Sequence, residues 1–120
     1  MRIGELAERT GISARSLRYY EQQGLLPSRR APNGYRDFDE SAVVRARNIK
    51  DLIDTGLTVE DVRQYAANGC LDRPLTRCAA ELDTTRRRLA ELDRRIERLR
   101  RIRARLAAYH SAVEDHAARG

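Results

Sequence analysis

The feature that most restricts this chain is a narrow apolar stripe running through its last forty or so residues. Leu75, Leu82, Leu89 and Ile96 recur every seven residues, and Leu92, Leu99, Leu106 and Val113 form a second column in the same helical register. Asp83 with Arg87, Glu91 with Arg95, and Glu97 with Arg101 stand four apart in the favourable order, as on the solvent face of a helix. A helix of about 40 residues is roughly 60 Å long at about 1.5 Å per residue, and a small domain cannot bury a stripe of that length. The stripe needs another helix, and the simplest source is a second copy of the chain. Leu82, Leu89, Leu92, Ile96, Leu99 and Leu106 are the expected dimer seam. The spacing Leu99, Ile102, Leu106 breaks the heptad as a stammer, which shifts the stripe locally and argues against a perfectly regular long coiled coil.

The 120 residues leave room for one small domain beside such a helix. With one Phe, five Tyr and no Trp, its core must be built from Leu, Ile, Val and Ala, which predicts a mainly α fold. A formal charge of +6 favours a polyanionic partner, but the charge is unevenly placed. Residues 1–38 carry seven Arg against four acids, residues 39–74 five basic against seven acidic, and residues 75–120 twelve Arg against seven acids. Most of the excess lies in the long helix, so a role for the N-terminal half must rest on placed residues. No stretch approaches the roughly 18 apolar residues of a membrane span, and no apolar signal region follows Met1, so a cytoplasmic protein without a membrane partner is expected.

In the N-terminal half, Ile3, Leu6 and Ala7 share a helical face that Gly11 interrupts, and Ser13 can cap a second helix running through Glu21. Two short helices meeting at a Gly-containing turn, with Ile12 and Leu17 to lock their angle, have the form of a helix-turn-helix. From Gly24 to Phe38 the helical period is lost among Pro27, Pro32 and Asn33-Gly34. Asn-Gly is a strong hairpin signal, so a two-stranded wing is expected, with Leu25 and Leu26 on one side and Tyr35 and Phe38 on the other; a plain surface loop is the alternative. Asp39 is the expected cap of a third helix reaching Gly56, and Thr58 with Asp61 a capping box for a fourth that stops at Asn68-Gly69. The organisation read from this is a winged helix-turn-helix domain over 1–70, a linker or sensing loop over 71–78, and a dimerisation helix over 79–117.

The second helix of a helix-turn-helix enters the major groove, and residues near its start reach base edges. Arg15 and Arg18 lie one turn apart there, and an Arg can fork onto guanine or onto phosphate. Of the adjacent Tyr19 and Tyr20, one must pack inward and the other is free to donate its hydroxyl to phosphate. Arg29, Arg30, Tyr35 and Arg36 surround the wing turn, where they would position the protein on the backbone without reading sequence. With the cap Ser13 beside them, the expected DNA-binding set is Ser13, Arg15, Arg18, Tyr19, Arg29, Arg30, Tyr35 and Arg36. Each Arg taken alone reads equally as a solvated surface charge; the set draws its meaning from clustering on the elements that would dock.

The run Arg18-Tyr19-Tyr20-Glu21-Gln22-Gln23-Gly24-Leu25-Leu26-Pro27, followed by Arg29-Arg30 and Asn33-Gly34-Tyr35-Arg36, resembles the N-terminal signature of the MerR family of transcriptional regulators. The resemblance covers the first seventy residues closely, and the long helix is similar in kind. It implies a homodimer held by an antiparallel coiled coil, acting on double-stranded promoter DNA together with RNA polymerase. The family's mode of action, by this resemblance, is to bend and untwist promoters whose spacer is too long, so that polymerase can open them.

The candidate sensing residues are the cysteines. Metal-sensing relatives usually carry a cysteine pair after the coiled coil, and residues 111–120 contain none. Cys70 and Cys78 instead bracket Leu71-Asp72-Arg73-Pro74, and Cys78 resembles in position a residue near the effector site of some metal-sensing relatives. The gap permits a redox dithiol or a clamp on one soft metal ion, with Arg73 and Arg77 to lower a thiol pKa. Equally, Cys78 reads as a small seam residue and Cys70 as a loop residue. His110 and His116, six apart, lack ligand-pair spacing on a helix and suit surface or interface roles. No Cys-His pairing, carboxylate constellation or phosphate-binding Gly loop stands at a spacing an enzyme would use. The competing class is a DNA-binding architectural protein that is indifferent to sequence or to any effector.

Overall fold

The computed structural model describes residues 1–75 and 79–120, with side chains described from 81 onward in the second stretch. Five helices and one ribbon follow in order: α1 (Ile3–Thr10), α2 (Ala14–Gln22), β1 (Arg29–Arg30), β2 (Arg36–Asp37), α3 (Ala42–Thr55), α4 (Val59–Ala67) and α5 (Ala79–Arg119). They divide between two units, Met1–Thr85 and Arg86–Gly120.

Local chemistry sets the boundaries in the first unit. Gly11 ends α1 with φ 73°, its N–H bonded to the Ala7 carbonyl, a left-handed turn that a side chain would oppose. Two residues later the Ser13 hydroxyl accepts from the Ser16 N–H at 3.1 Å and starts α2, as its cap position predicts. Thr58 and Asp61 form both bonds of the capping box on α4, at 3.1 and 2.9 Å. The third helix departs from expectation: it begins at Ala42, and Asp39 caps a preceding turn instead. There the Asp39 carboxylate accepts from the Ser41 hydroxyl at 2.9 Å, and the Ala42 N–H donates to the Asp39 carbonyl. The Ser41 hydroxyl first, then backbone N–H groups of Glu40 and Ser41, hold the Asp39 carboxyl below its ordinary range.

α1 packs on α2 and α3, and α3 in turn on α2 and α4, closing one core. Leu6 of α1, Leu17 of α2, Ile49 of α3 and Val62 of α4 are fully buried there. The wing differs from the pairing read in the sequence. Leu25, Leu26 and Phe38 do not face one another across a ribbon: all three are fully buried in the helical core, while Tyr35 is 59% exposed. A ribbon of two residues per strand has no face on which to bury them, and burying each large apolar side chain is worth about 1.5–3 kcal/mol. The chain therefore uses Leu25-Leu26 and Phe38 as anchors on either side of the wing, and Arg29, Arg30, Tyr35 and Arg36 project. The turn is a three-residue loop: Gly34 donates to the Ala31 carbonyl at 2.9 Å and Ala31 to the Tyr35 carbonyl at 2.8 Å, with Gly34 at φ 86°. The Met1 ammonium and carbonyl bond to the Phe38 carbonyl and N–H, both at 2.7 Å, fastening the base of the ribbon to the start of α1.

Leu71, the first residue of the expected linker, is fully buried in the same core, and Cys70 beside it is buried too. Asn48 holds this segment: its amide donates to the carbonyls of Leu71 and Arg73, each at 2.8 Å. One turn earlier on α3, Arg45 donates to the Leu25 carbonyl at 2.5 Å and to Asp72 Oδ1 at 2.9 Å.

The second unit is helix alone. Of the expected seam residues within it, Leu89, Ile96, Leu99 and Leu106 are exposed in the single chain, and Leu92 is half-buried. Leu82, on the same helix but within the first unit, is also exposed. Glu97 pairs with Arg101 at 3.7 Å as its spacing suggests, whereas Glu91 takes Arg88 at 3.2 Å, three residues before it. His110 pairs with Glu114 at 2.8 Å, a surface role for that histidine.

Candidate nucleic-acid interface

Helix α2 turns its apolar side to the core through Leu17 and Tyr20 and leaves Arg15, Arg18 and Tyr19 exposed. This resolves the tyrosine pair: Tyr20 is the inward one, and burial raises its phenol pKa, while Tyr19 is 45% exposed with its ring edge-on to Tyr20 at 6.4 Å. The Ser13 hydroxyl is engaged locally, accepting from the Ser16 N–H and donating to the Ser16 hydroxyl at 3.1 Å. Its observed work is to start the helix that carries the arginines.

The wing lies beside α2 and presents Arg29, Arg30, Tyr35 and Arg36, all exposed. Its register pairs Arg29 with Asp37 and Arg30 with Arg36. Between α2, the start of α1 and the wing runs an open cleft of about 640 Å³, and Arg2, Arg18, Tyr35 and Arg36 all line it. The Arg2 guanidinium sits 4.5 Å from the Tyr35 ring centroid, a cation–π contact on the cleft wall. Three guanidinium groups and an exposed phenol around one groove can grip an anionic backbone, and the one carboxylate lining it, Glu21, lies 3.4 Å from Arg36 Nε.

Residues that hold this surface in place were not singled out in the sequence. Glu21 accepts from the Ser28 hydroxyl at 2.6 Å and lies 3.4 Å from Arg36 Nε. Arg63 of α4 donates to the backbone carbonyl of Gln23 and, at 3.0 Å, to its side chain, tying α4 to the exit of α2. These contacts join residues 7 to 40 positions apart. Helical and strand periods carry no signal for them.

Of the two cysteines, Cys70 is buried, with its Sγ 3.7 Å from the Asn68 carbonyl. Cys78 lies outside the described residues. Among the described residues, no group of three or more His, Cys, Asp or Glu side chains is placed to hold a metal ion, and no helix is long and apolar enough to cross a membrane.

Known proteins supply the context for this geometry. The family model described as MerR HTH family regulatory protein matches residues 1–69, and that described as MerR, DNA binding matches residues 43–109. The mercuric resistance operon regulatory protein of Bacillus cereus is 35% identical over 84% of this chain and 76% of its own length. The HTH-type transcriptional regulator HmrR of Rhizobium leguminosarum bv. viciae is 36% identical over 86% of this chain and 78% of its own. Among solved structures, the transcription regulator PbrR691 of Ralstonia metallidurans CH34, in complex with lead(II), superposes with a TM-score of 0.70 at 28% identity, covering 88% of this chain and 82% of that one. HiNmlR, a MerR family regulator lacking the sensor domain and bound to promoter DNA, gives a TM-score of 0.55 at 26% identity over 91% and 76%. The chain belongs to the MerR HTH family and is a DNA-binding transcriptional regulator of that type.

Proposed function

We propose that the chain acts in the cytoplasm as a homodimer on promoter DNA, joined by an antiparallel pairing of α5, and that it regulates by deforming the duplex presented to RNA polymerase. The observation that carries this reading is the joint exposure of Arg15, Arg18 and Tyr19 on α2 with Arg29, Arg30, Tyr35 and Arg36 on the adjoining wing. Within it, Arg15 and Arg18 read or anchor in the major groove, and the wing residues grip flanking phosphates. The exposed seam of Leu82, Leu89, Ile96, Leu99 and Leu106 supports the dimer, because an apolar column of that length stays exposed in a single chain. Two α2 helices set by a two-fold axis would then engage a two-fold-symmetric site. The test is Arg18→Ala against a duplex selected from a random library by the wild-type protein: specific binding is lost while the dimer mass in native mass spectrometry is unchanged. Normal binding by the variant would remove α2 as the recognition helix.

As the sensing element we propose the segment bracketed by Cys70 and Cys78, answering a soft metal ion or an oxidant. The lead(II) complex of PbrR691 and the mercuric resistance regulator make a soft ion the first candidate. Cys70→Ser and Cys78→Ser should each abolish the transcriptional response and spare DNA binding; a response unchanged in both assigns the thiols to packing.

A further inference from the structure

A carboxylate on a DNA-reading helix is an electrostatic liability, because it faces the same phosphates that the arginines attract. Glu21 is such a group. It follows Arg18 by one turn on α2 and lines the same cleft. Its side chain, however, is only 18% exposed, and one oxygen, Oε2, makes both of its contacts. The Ser28 hydroxyl, just before β1, donates to it at 2.6 Å, and Arg36 Nε, at the start of β2, lies 3.4 Å away. A single oxygen thus ties the residue that leads into β1 and the first residue of β2 to α2.

The base of the wing is fastened by Met1, and Arg29 faces Asp37 there, but the pair nearer the turn gains from such a brace. The register sets Arg30 directly opposite Arg36, and like charges facing one another across a two-stranded ribbon push it apart. The ribbon has only two residues per strand and no apolar pair of its own to resist this. A negative charge behind Arg36 offsets the repulsion and fixes the direction of a side chain that is otherwise half-exposed. We propose that Glu21 is a positioning residue for DNA binding: it touches no DNA, and it aims Arg36 at phosphate by locking the wing to α2.

This inference rests on the wing contributing phosphate contacts, and it makes a prediction opposite in sign to simple electrostatics. If Glu21 were only an unfavourable charge near the backbone, Glu21→Gln would tighten binding. As a brace, its removal weakens binding. One phosphate contact is worth about fivefold in affinity at 0.15 M salt relative to 1 M, so losing Arg36 from both protomers of a dimer bounds the effect at about thirtyfold.

The experiment is a salt titration of the full-length dimer on its selected duplex by fluorescence anisotropy, for wild type, Glu21→Gln, Ser28→Ala, Arg36→Ala and the double variant Glu21→Gln/Arg36→Ala. Glu21→Gln is expected to bind about threefold to thirtyfold more weakly, with a log–log salt slope shallower by up to about 1.8, since each phosphate contact contributes about 0.9. Ser28→Ala should weaken binding in the same direction and by less. In the Arg36→Ala background the Glu21 substitution should have no further weakening effect, the signature of two residues acting through one contact. Tighter binding by Glu21→Gln, or an equal loss with and without Arg36, overturns the proposal. If Arg36→Ala binds with wild-type affinity and slope, the wing reading itself fails, which separates that failure from the failure of Glu21 as its brace.

Discussion

Asn48→Asp probes a buried polar site on α3. Asn48 is 8% exposed, and its amide nitrogen donates to two backbone carbonyls, those of Leu71 and Arg73, at 2.8 Å each. Aspartate matches its shape, so no cavity forms, but it replaces both donors with an acceptor that carries charge. Two hydrogen bonds worth about 0.5–1.5 kcal/mol net are lost, and the Leu71 carbonyl is left in a fully buried residue at about 1–3 kcal/mol. Burying an unpaired carboxylate against two carbonyl oxygens adds to this. The expected destabilisation is about 3–5 kcal/mol, against about 2 kcal/mol for Asn48→Ala, which removes the donors without adding charge. Urea unfolding followed by circular dichroism, at fixed protein concentration because dimerisation contributes to stability, measures both. A loss below about 1 kcal/mol for Asn48→Asp, or a smaller loss than for Asn48→Ala, would refute the account of this segment as anchored through Asn48.

Thr58→Ala breaks the capping box of α4 and should lower stability by about 1 kcal/mol, read in the same urea titration. Tyr20 gives a pH dependence. Burial raises its phenol above the ordinary value of 10.0, so its contribution is complete below about pH 10 and is lost as pH rises through the folded-state value. Wild type should therefore lose stability steeply above about pH 10 and Tyr20→Phe less so; parallel curves would contradict this. Leu89→Asp places a charge in the exposed seam, and native mass spectrometry should show monomer while circular dichroism of the N-terminal domain keeps its helical signal.

The features legible in the sequence were those fixed by nearest neighbours on the chain. Ser13, Gly11, Thr58 with Asp61, and the heptad columns each announce their structure locally, and the helix boundaries follow within a few residues. The wing was legible in outline through Asn33-Gly34, but the partners of Leu25, Leu26 and Phe38 were misassigned. Alternating apolar residues beside a turn look the same whether they pair across a ribbon or anchor it from below, and only the competing helical core decides between the two. Asp39 misled for a related reason: it caps a turn that precedes the helix, which in sequence is indistinguishable from capping the helix itself. Glu21, Arg45, Asn48 and Arg63 were silent because each works through a partner at least seven residues away, at a distance set by packing and by no period of the chain.

The central claim is that two copies of this chain grip one promoter duplex symmetrically through α2 and the wing. Hydroxyl-radical footprinting on a selected duplex tests it most directly. Backbone protection is expected at two half-sites related by a two-fold axis, with flanking protection that disappears in Arg36→Ala. Protection that is uniform along the duplex, or confined to a single half-site, would contradict it.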